Sequence, residues 1–286
     1  MNFSLNLFQT GFGAYSSLLP RRAASKAVEW MTSPRITPER RSSCQELFSE
    51  HVALPSGGRL SSFGKGRRKI LILHGWSGWV GQFEALLTEI NPSEYTIYAV
   101  QPLGHGDSKA ARSHPGRFIE ASLEAIEYLD SSFDVAIGHS LGAAALVSVQ
   151  ALTESFDSMV LVSSPATIEG VLNRFARFLN LRKRSKRHFI ATMEETVGIP
   201  VEELNLLSIA EAEKLPVLLI HDEDDQELPV SESESLSLAF ENSEIFRTAG
   251  WGHSRLLQNP EVTQKIMHFL DNASSQKGQD GHQNAR

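Results

Sequence analysis

From Lys69 onward the chain alternates short, almost uninterrupted apolar runs with longer stretches of helical periodicity. Lys69–His74 (KILILH), Tyr95–Val100, Val135–Gly138, Met159–Ser163, Val217–His221 and Ile245–Thr248 read as strands. Between them, helical spacing runs near Val80–Ile90, over Phe118–Leu129, over the alanine-rich Leu141–Thr153, near Ser233–Phe240 and over Glu261–Leu270. A strand that is apolar at nearly every position has no face to give to water, so it must be covered on both sides. Strands that alternate with helices give a mostly parallel sheet with helices packed on both faces. The expected fold class is therefore α/β.

The alternation breaks between about Pro165 and Lys214, where the pattern is helical throughout. Ile168, Val171, Leu172, Phe175, Phe178 and Leu179 share one face at helical spacing. An insertion of this kind between two strands is expected to act as a helical cap, at about 165–214. Its apolar face is expected to cover the site and its basic run, Arg182–Arg187, to face solvent; the sharper alternative is that this run meets an anionic head group or membrane surface. With 286 residues the chain fits one α/β core plus such an insertion. Residues 1–55 form a preamble in which Ala23, Ala27, Val28, Trp30 and Met31 suggest a short helix ending before Pro34 and packing on the main domain. The main domain spans 56–272, and the polar stretch 273–286 is expected to be disordered.

Composition removes several classes. Apolar content of 41% and charged content of 21% are those of a globular protein. A net charge of −7 argues against a nucleic-acid partner, which calls for a basic face. Cys44 is the one cysteine, so no intrachain disulfide and no cysteine-rich metal site is available, which fits a reducing compartment. The N-terminal apolar residues are interrupted by polar ones, and Arg21 and Arg22 follow them, the reverse of a secretory signal. No run approaches the roughly 18–20 apolar residues of a membrane span. A cytoplasmic protein without an integral membrane segment is expected, with peripheral membrane contact as an alternative for the N-terminal helix and the basic run. Nothing in the sequence speaks to oligomeric state.

Gly138-His139-Ser140-Leu141-Gly142 lies where a buried strand passes into an alanine-rich helix. A serine on such a sharp turn is lifted above the sheet, and side chains two residues to either side would crowd neighbouring backbone. The Leu141 N–H, opening the helix, would face a developing oxyanion. A second donor is expected from the Trp76 N–H in His74-Gly75-Trp76-Ser77-Gly78, at the end of the first strand. His74, His105 and Asp107 read as braces of their loops, and His139 as pointing away from Ser140.

A serine hydroxyl needs a base, and the base needs a group that fixes its tautomer. His253, in the glycine-rich Ala249–Ser254 loop after the last strand, is the candidate base. The acid is sought in Asp222-Glu223-Asp224-Asp225, after Val217–His221, and Asp225 has the best spacing between the strand and Pro229. Asp222 and Asp224 are expected to point into solvent. The order Ser140, Asp225, His253 places the three at the carboxyl ends of successive strands, where α/β sheets carry their sites.

Taken in order, HGWSG, GHGDS, GHSLG, HDEDDQELP and GWGHS resemble the landmark loops of the α/β-hydrolase superfamily over about residues 69–272. The likeness is to its esterase, lipase and serine-aminopeptidase-like branch. There the acidic loop often reads HGxxDxxVP, which gives Asp225 the acidic role. Two positions depart from the pattern: Asp222 stands where glycine is usual, and Gln101 where aspartate often precedes the GHG turn. The resemblance implies a serine hydrolase of carboxylic esters working through an acyl-enzyme, with a small-molecule acyl substrate and no cofactor or metal. Thioesterase, acyltransferase and aminopeptidase are alternatives on the same scaffold, and a non-catalytic ligand-binding protein is the alternative of a different class.

Overall fold

The computed structural model describes residues 3–37, 40 and 48–283; Cys44 lies outside them. Eight strands form one sheet: β1 (Glu50–Ala53), β2 (Arg59–Phe63), β3 (Arg68–Leu73), β4 (Tyr95–Gln101), β5 (Val135–His139), β6 (Met159–Val162), β7 (Val217–Asp222) and β8 (Ser243–Thr248). Their order is β1-β2-β4-β3-β5-β6-β7-β8. β3 to β8 are parallel, and β1 and β2 add an antiparallel edge beside β4. That edge was not legible as alternation. β1 is four residues long and mostly exposed, and β2 carries Ser61 and Ser62 at its centre. The sheet thus begins at Glu50, ahead of the boundary near residue 55.

The remaining elements are helices. In chain order they are α1 (Phe3–Leu18), α2 (Pro20–Met31), α3 (Glu84–Glu89), α4 (Pro115–Leu129), α5 (Leu141–Thr153), α6 (Ile168–Phe178), α7 (Lys183–Val197), α8 (Leu206–Ala210), α9 (Ser231–Ala239), α10 (Gly252–Arg255) and α11 (Pro260–Gln283). A 3-10 turn, Val80–Phe83, precedes α3. The backbone of the polar C-terminal stretch continues α11 as far as Gln283.

The apolar strands divide their side chains between two cores with period two. Leu71, Leu73, Ala136, Leu161 and Leu219 join α4 and α5 on one face. Ile70, Ile72, Ile137, Val160 and Leu218 join α3 and the start of α11 on the other. The parallel register sets Leu73 beside Gly138 and Gly138 beside Leu161, so strand ends line up at one edge of the sheet.

Between β6 and β7 the chain is helical, through α6, α7 and α8. Thr167 caps α6 by accepting from the Gly170 N–H, and Asn205 caps α8 in the same way through Leu207. The preamble is more structured than its sequence announced. α2 buries Ala23, Ala24, Ala27 and Val28, whose small side chains let helices approach closely. α1 precedes it, its Phe12 ring 5.0 Å from that of Trp30. Glycines and polar residues in α1 masked its helical period.

Candidate active site

Ser140 follows β5 directly and opens α5 with φ 52° and ψ −121°, a conformation costly for a residue with a side chain. The flanking glycines explain how the turn is made. A Cβ on Gly138 would stand 2.4 Å from Ala143 Cα, and one on Gly142 would stand 2.3 Å from the Leu73 carbonyl oxygen. The helix start is thereby pressed against the ends of β3 and β5, and any side chain at either position would push it off. A Cβ on Gly75 would lie 2.9 Å from Ser140 Cβ, so the loop carrying Trp76 stands immediately beside the serine. Leu141 begins the first turn of α5, where backbone N–H groups have no acceptor within the helix.

His253 lies in α10, after β8, and Asp225 in the loop after β7. His253 Nδ1–H donates to Asp225 Oδ2 at 2.6 Å. The other carboxylate oxygen accepts from the Glu227 and Leu228 N–H groups at 2.8 and 2.9 Å. Buried His221 shares its Nε2–H between the Leu228 carbonyl, at 3.0 Å, and Asp225 Oδ2, at 3.3 Å, while its Nδ1 faces Ser233 Oγ at 2.7 Å. Burial by itself would raise the Asp225 carboxyl. Hydrogen bonds from His221 and His253, with the His253 charge and the Leu228 N–H, outweigh it and hold the group well below the carboxylate range. An ionised acceptor fixed on Nδ1 leaves Nε2 of His253 as the nitrogen able to take a proton. Ser140 and His253 are not hydrogen-bonded to each other in this arrangement; both line one cavity.

Asp222 corrects an expectation. It does not point into solvent: the residue is fully buried and its carboxylate ties down the loop that carries His253. Oδ2 accepts from Thr248 Oγ1 at 2.7 Å and from the Trp251 N–H at 3.2 Å. Oδ1 accepts from the Gly252 and Asp224 N–H groups at 2.9 and 3.1 Å. Burial opposes its charge, but the Gly252, Thr248, Trp251 and Asp224 donors together hold its carboxyl below the usual value. Asp224 is exposed, yet it too grips this loop, accepting from the Gly250 N–H at 2.8 Å. The signal available in the sequence was the departure itself, a carboxylate in place of glycine one loop away from unpaired backbone donors.

Asp222→Asn is expected to lower stability by about 3 kcal/mol near neutral pH, because an amide cannot accept from four donors at once. A folded-state carboxyl held low contributes stability above its unfolded value of about 3.9, lost as pH falls through the folded value. Urea denaturation should therefore show the gap from wild type narrowing as pH drops below about 4. A gap unchanged by acid would mean that the Asp222 charge contributes nothing.

His139 has a use the sequence did not disclose. Its ring packs 4.8 Å from that of His253, and Nε2–H donates to the His253 carbonyl at 3.0 Å. Burial first, then the neighbouring His253, push His139 down to about 3, so it stays a neutral donor. His74 is likewise pushed down by burial, to about 4, and its Nδ1–H donates to the Gly75 carbonyl at 2.8 Å. The Trp76 ring leans on His105 at 4.9 Å, and His105 on Phe118 at 4.9 Å. Gln101 departs from the aspartate pattern but fills its turn: its amide clasps Asp107, which also accepts from Arg59 at 2.8 Å.

The cavity has a volume of about 1070 Å³. Its floor is Ser140, Leu141, Trp76 and His253, and its walls are largely apolar, from Ile168, Leu172 and Phe175 of α6 and Met193 and Val197 of α7. Phe8, Trp30 and Met31 also line it. The two preamble helices are therefore part of the site's wall, which required knowing how α1 and α2 fold back onto α6 and α7.

A mostly parallel sheet with a serine on a strained strand–helix turn after β5, and an aspartate–histidine pair after β7 and β8, is the arrangement of an α/β hydrolase. The chain belongs to the alpha/beta hydrolase family, whose model matches residues 70–264. No curated protein matches it. Among solved structures it is similar to an esterase from Rhodococcus sp. ECU1013, with 16% identity, a TM-score of 0.60 and 78% of this chain covering 98% of that one. It is also similar to the monoacylglycerol lipase of Paleococcus ferrophilus, with 19% identity, a TM-score of 0.59 and coverage of 79% and 100%. A thermophilic esterase from Thermogutta terrifontis gives 16% identity, a TM-score of 0.58 and coverage of 79% and 99%. At these identities the likeness is one of fold. Among the described residues no helix is long and apolar enough to cross a membrane.

Proposed function

We propose that the chain hydrolyses a carboxylic ester with a sizeable apolar acyl group, using Ser140 as nucleophile, His253 as base and Asp225 as its orienter. The observation that carries this reading is the His253–Asp225 bond of 2.6 Å beside a strained Ser140, with both Ser140 and His253 opening into one cavity. The names of the similar structures, two esterases and a monoacylglycerol lipase, agree with it.

In the proposed cycle His253 Nε2 takes the Ser140 proton as Oγ bonds to the ester carbonyl carbon. The Leu141 and Trp76 N–H groups receive the oxyanion. The intermediate collapses, the ester C–O bond breaks, and the imidazolium returns its proton to the leaving alcohol. Water then attacks the acyl-serine, gives a proton to His253, and the carboxylic acid departs as Ser140 regains its hydrogen. Asp225 stays ionised and holds the imidazole throughout. No step requires a metal or organic cofactor.

The helices between β6 and β7 serve as a cap over the acyl site. A cavity of about 1070 Å³ walled by Phe175, Leu172 and Met193 exceeds what a short ester fills, so longer acyl chains gain from burial. A fluorophosphonate should label Ser140 and no other serine; labelling elsewhere would refute the reading. In a chain-length series of p-nitrophenyl esters, Phe175→Ala should shift the preferred acyl length while leaving labelling at Ser140 nearly unchanged. An identical chain-length profile in this variant would remove the cap from the account of specificity.

A further inference from the structure

α1 lies against the turn between α6 and α7. Gln9 Nε2 donates to the Phe178 carbonyl at 2.7 Å, and Asn180 Nδ2 donates to the Gln9 carbonyl at 3.2 Å. The Arg182 N–H donates to Ser16 Oγ at 3.1 Å, and Ser185 Oγ donates to the Ser16 carbonyl at 2.7 Å. These bonds bring two distant parts of the sequence onto one surface, and both present large apolar side chains to solvent. Leu7 is 65% exposed, Leu18 80% and Phe178 49%. Phe8 and Phe178 also line the cavity, so this surface includes its rim.

The chain that carries these segments is basic on both sides, α1 being uncharged but running into Arg21, Arg22 and Lys26 of α2; of the cations here, Lys26 is paired with Glu29 and Arg174 with Glu232. Residues 1–28 hold Arg21, Arg22 and Lys26 and no Asp or Glu. Residues 170–193 hold seven Arg and Lys and no Asp or Glu, so all 34 acidic side chains of this net-negative chain lie elsewhere. Arg21, Arg22, Arg177, Arg182, Lys183 and Arg184 are exposed. Exposed leucine and phenylalanine interleaved with arginine and lysine is the composition of an interfacial surface, in which apolar tips enter the acyl boundary and cations stay with the head groups. A second copy would fit poorly, because a two-fold contact through this surface would set each arginine cluster against the other.

We infer that the surface formed by α1 and the α6–α7 turn docks on an anionic lipid bilayer, with the rim of the cavity turned toward the lipid. The docking uses no residue of the proposed triad and is read without turnover, so it can fail while ester hydrolysis stands, and the reverse.

The test is sedimentation of the full chain with sucrose-loaded vesicles at low salt, comparing equimolar phosphatidylglycerol and phosphatidylcholine with phosphatidylcholine alone. Partition onto the anionic vesicles should exceed that onto the neutral ones by at least about tenfold and fall with added salt, since each Lys or Arg near such a surface contributes about fivefold. A variant carrying Arg182→Gln, Lys183→Gln, Arg184→Gln and Arg187→Gln should lose at least about tenfold in partition. A second variant, Leu7→Ser with Leu18→Ser, should also lose about tenfold. Fluorophosphonate labelling of both variants should match wild type and so report intact folding; a variant that fails this is replaced by its single substitutions. Equal partition onto both lipids, no partition at all, or a loss in only one of the two variants would overturn the inference. So would a stable dimer that Leu7→Ser dissociates and that binds no vesicle.

Discussion

Replacing Ser140 by alanine is expected to lower kcat on a carboxylic ester by about three to six orders of magnitude, with the fold intact. The change removes only Oγ, which caps no helix: the side chain of Ser140 makes no cap bond at the start of α5. The cost of the turn itself lies in φ 52° and ψ −121°, which alanine must adopt as well, so stability should change by less than about 1 kcal/mol. Steady-state kinetics beside thermal denaturation separates the two effects. The residual rate should reflect the cavity and the proposed Leu141 and Trp76 donors alone. His253→Ala should cost a similar factor, and the double variant little more than either single one, because the two groups act as a unit. A Ser140→Ala protein that turns over its ester at more than about a tenth of the wild-type rate would end the acyl-enzyme account.

Asp225→Asn should lower kcat by about four orders of magnitude near neutral pH. The carboxylate has one oxygen on His253 Nδ1–H and the other on the Glu227 and Leu228 N–H groups. An asparagine can satisfy only one side. With its carbonyl toward His253, its NH2 faces two backbone donors; with its NH2 toward His253, the imidazole must give up its Nδ1 proton and place it on Nε2, where a base is needed. Asp224→Asn changes an exposed carboxylate that holds one N–H of the loop, and should cost less than about tenfold. Asp222→Asn leaves the Asp225–His253 pair in place, so its effect should fall mainly on stability and less on kcat than that of Asp225→Asn. An active Asp225→Asn protein beside a disabled Asp224→Asn protein would move the orienting role to Asp224.

Much of this was readable in one dimension, for definite physical reasons. A strand buried on both faces, such as Ile70–Leu73 or Val135–Ile137, can only be apolar at every position, so the parallel sheet announced itself. The serine turn did as well, because two glycines are compulsory where a Cβ at either position would come within 2.3–2.4 Å of neighbouring backbone. Asp225 and His253 stood at successive strand ends, and their pairing follows from the register of β7 with β8. The antiparallel edge escaped because β1 is exposed and β2 half polar, so neither carries a continuous apolar run.

Other features were decided only in three dimensions. Whether Asp222 met water or four donors depended on how the 248–252 loop folds back across the end of β7, a contact between residues far apart in sequence. That His139 supports the His253 carbonyl depended on two loops meeting over the sheet. The contribution of Phe8, Trp30 and Met31 to the cavity depended on α1 and α2 packing against α6 and α7. Sequence by itself determined which residues had to be buried, because burial leaves a periodic apolar trace. The tertiary structure decided which polar groups found partners, because a carboxylate or a ring nitrogen is satisfied by geometry and leaves no period behind.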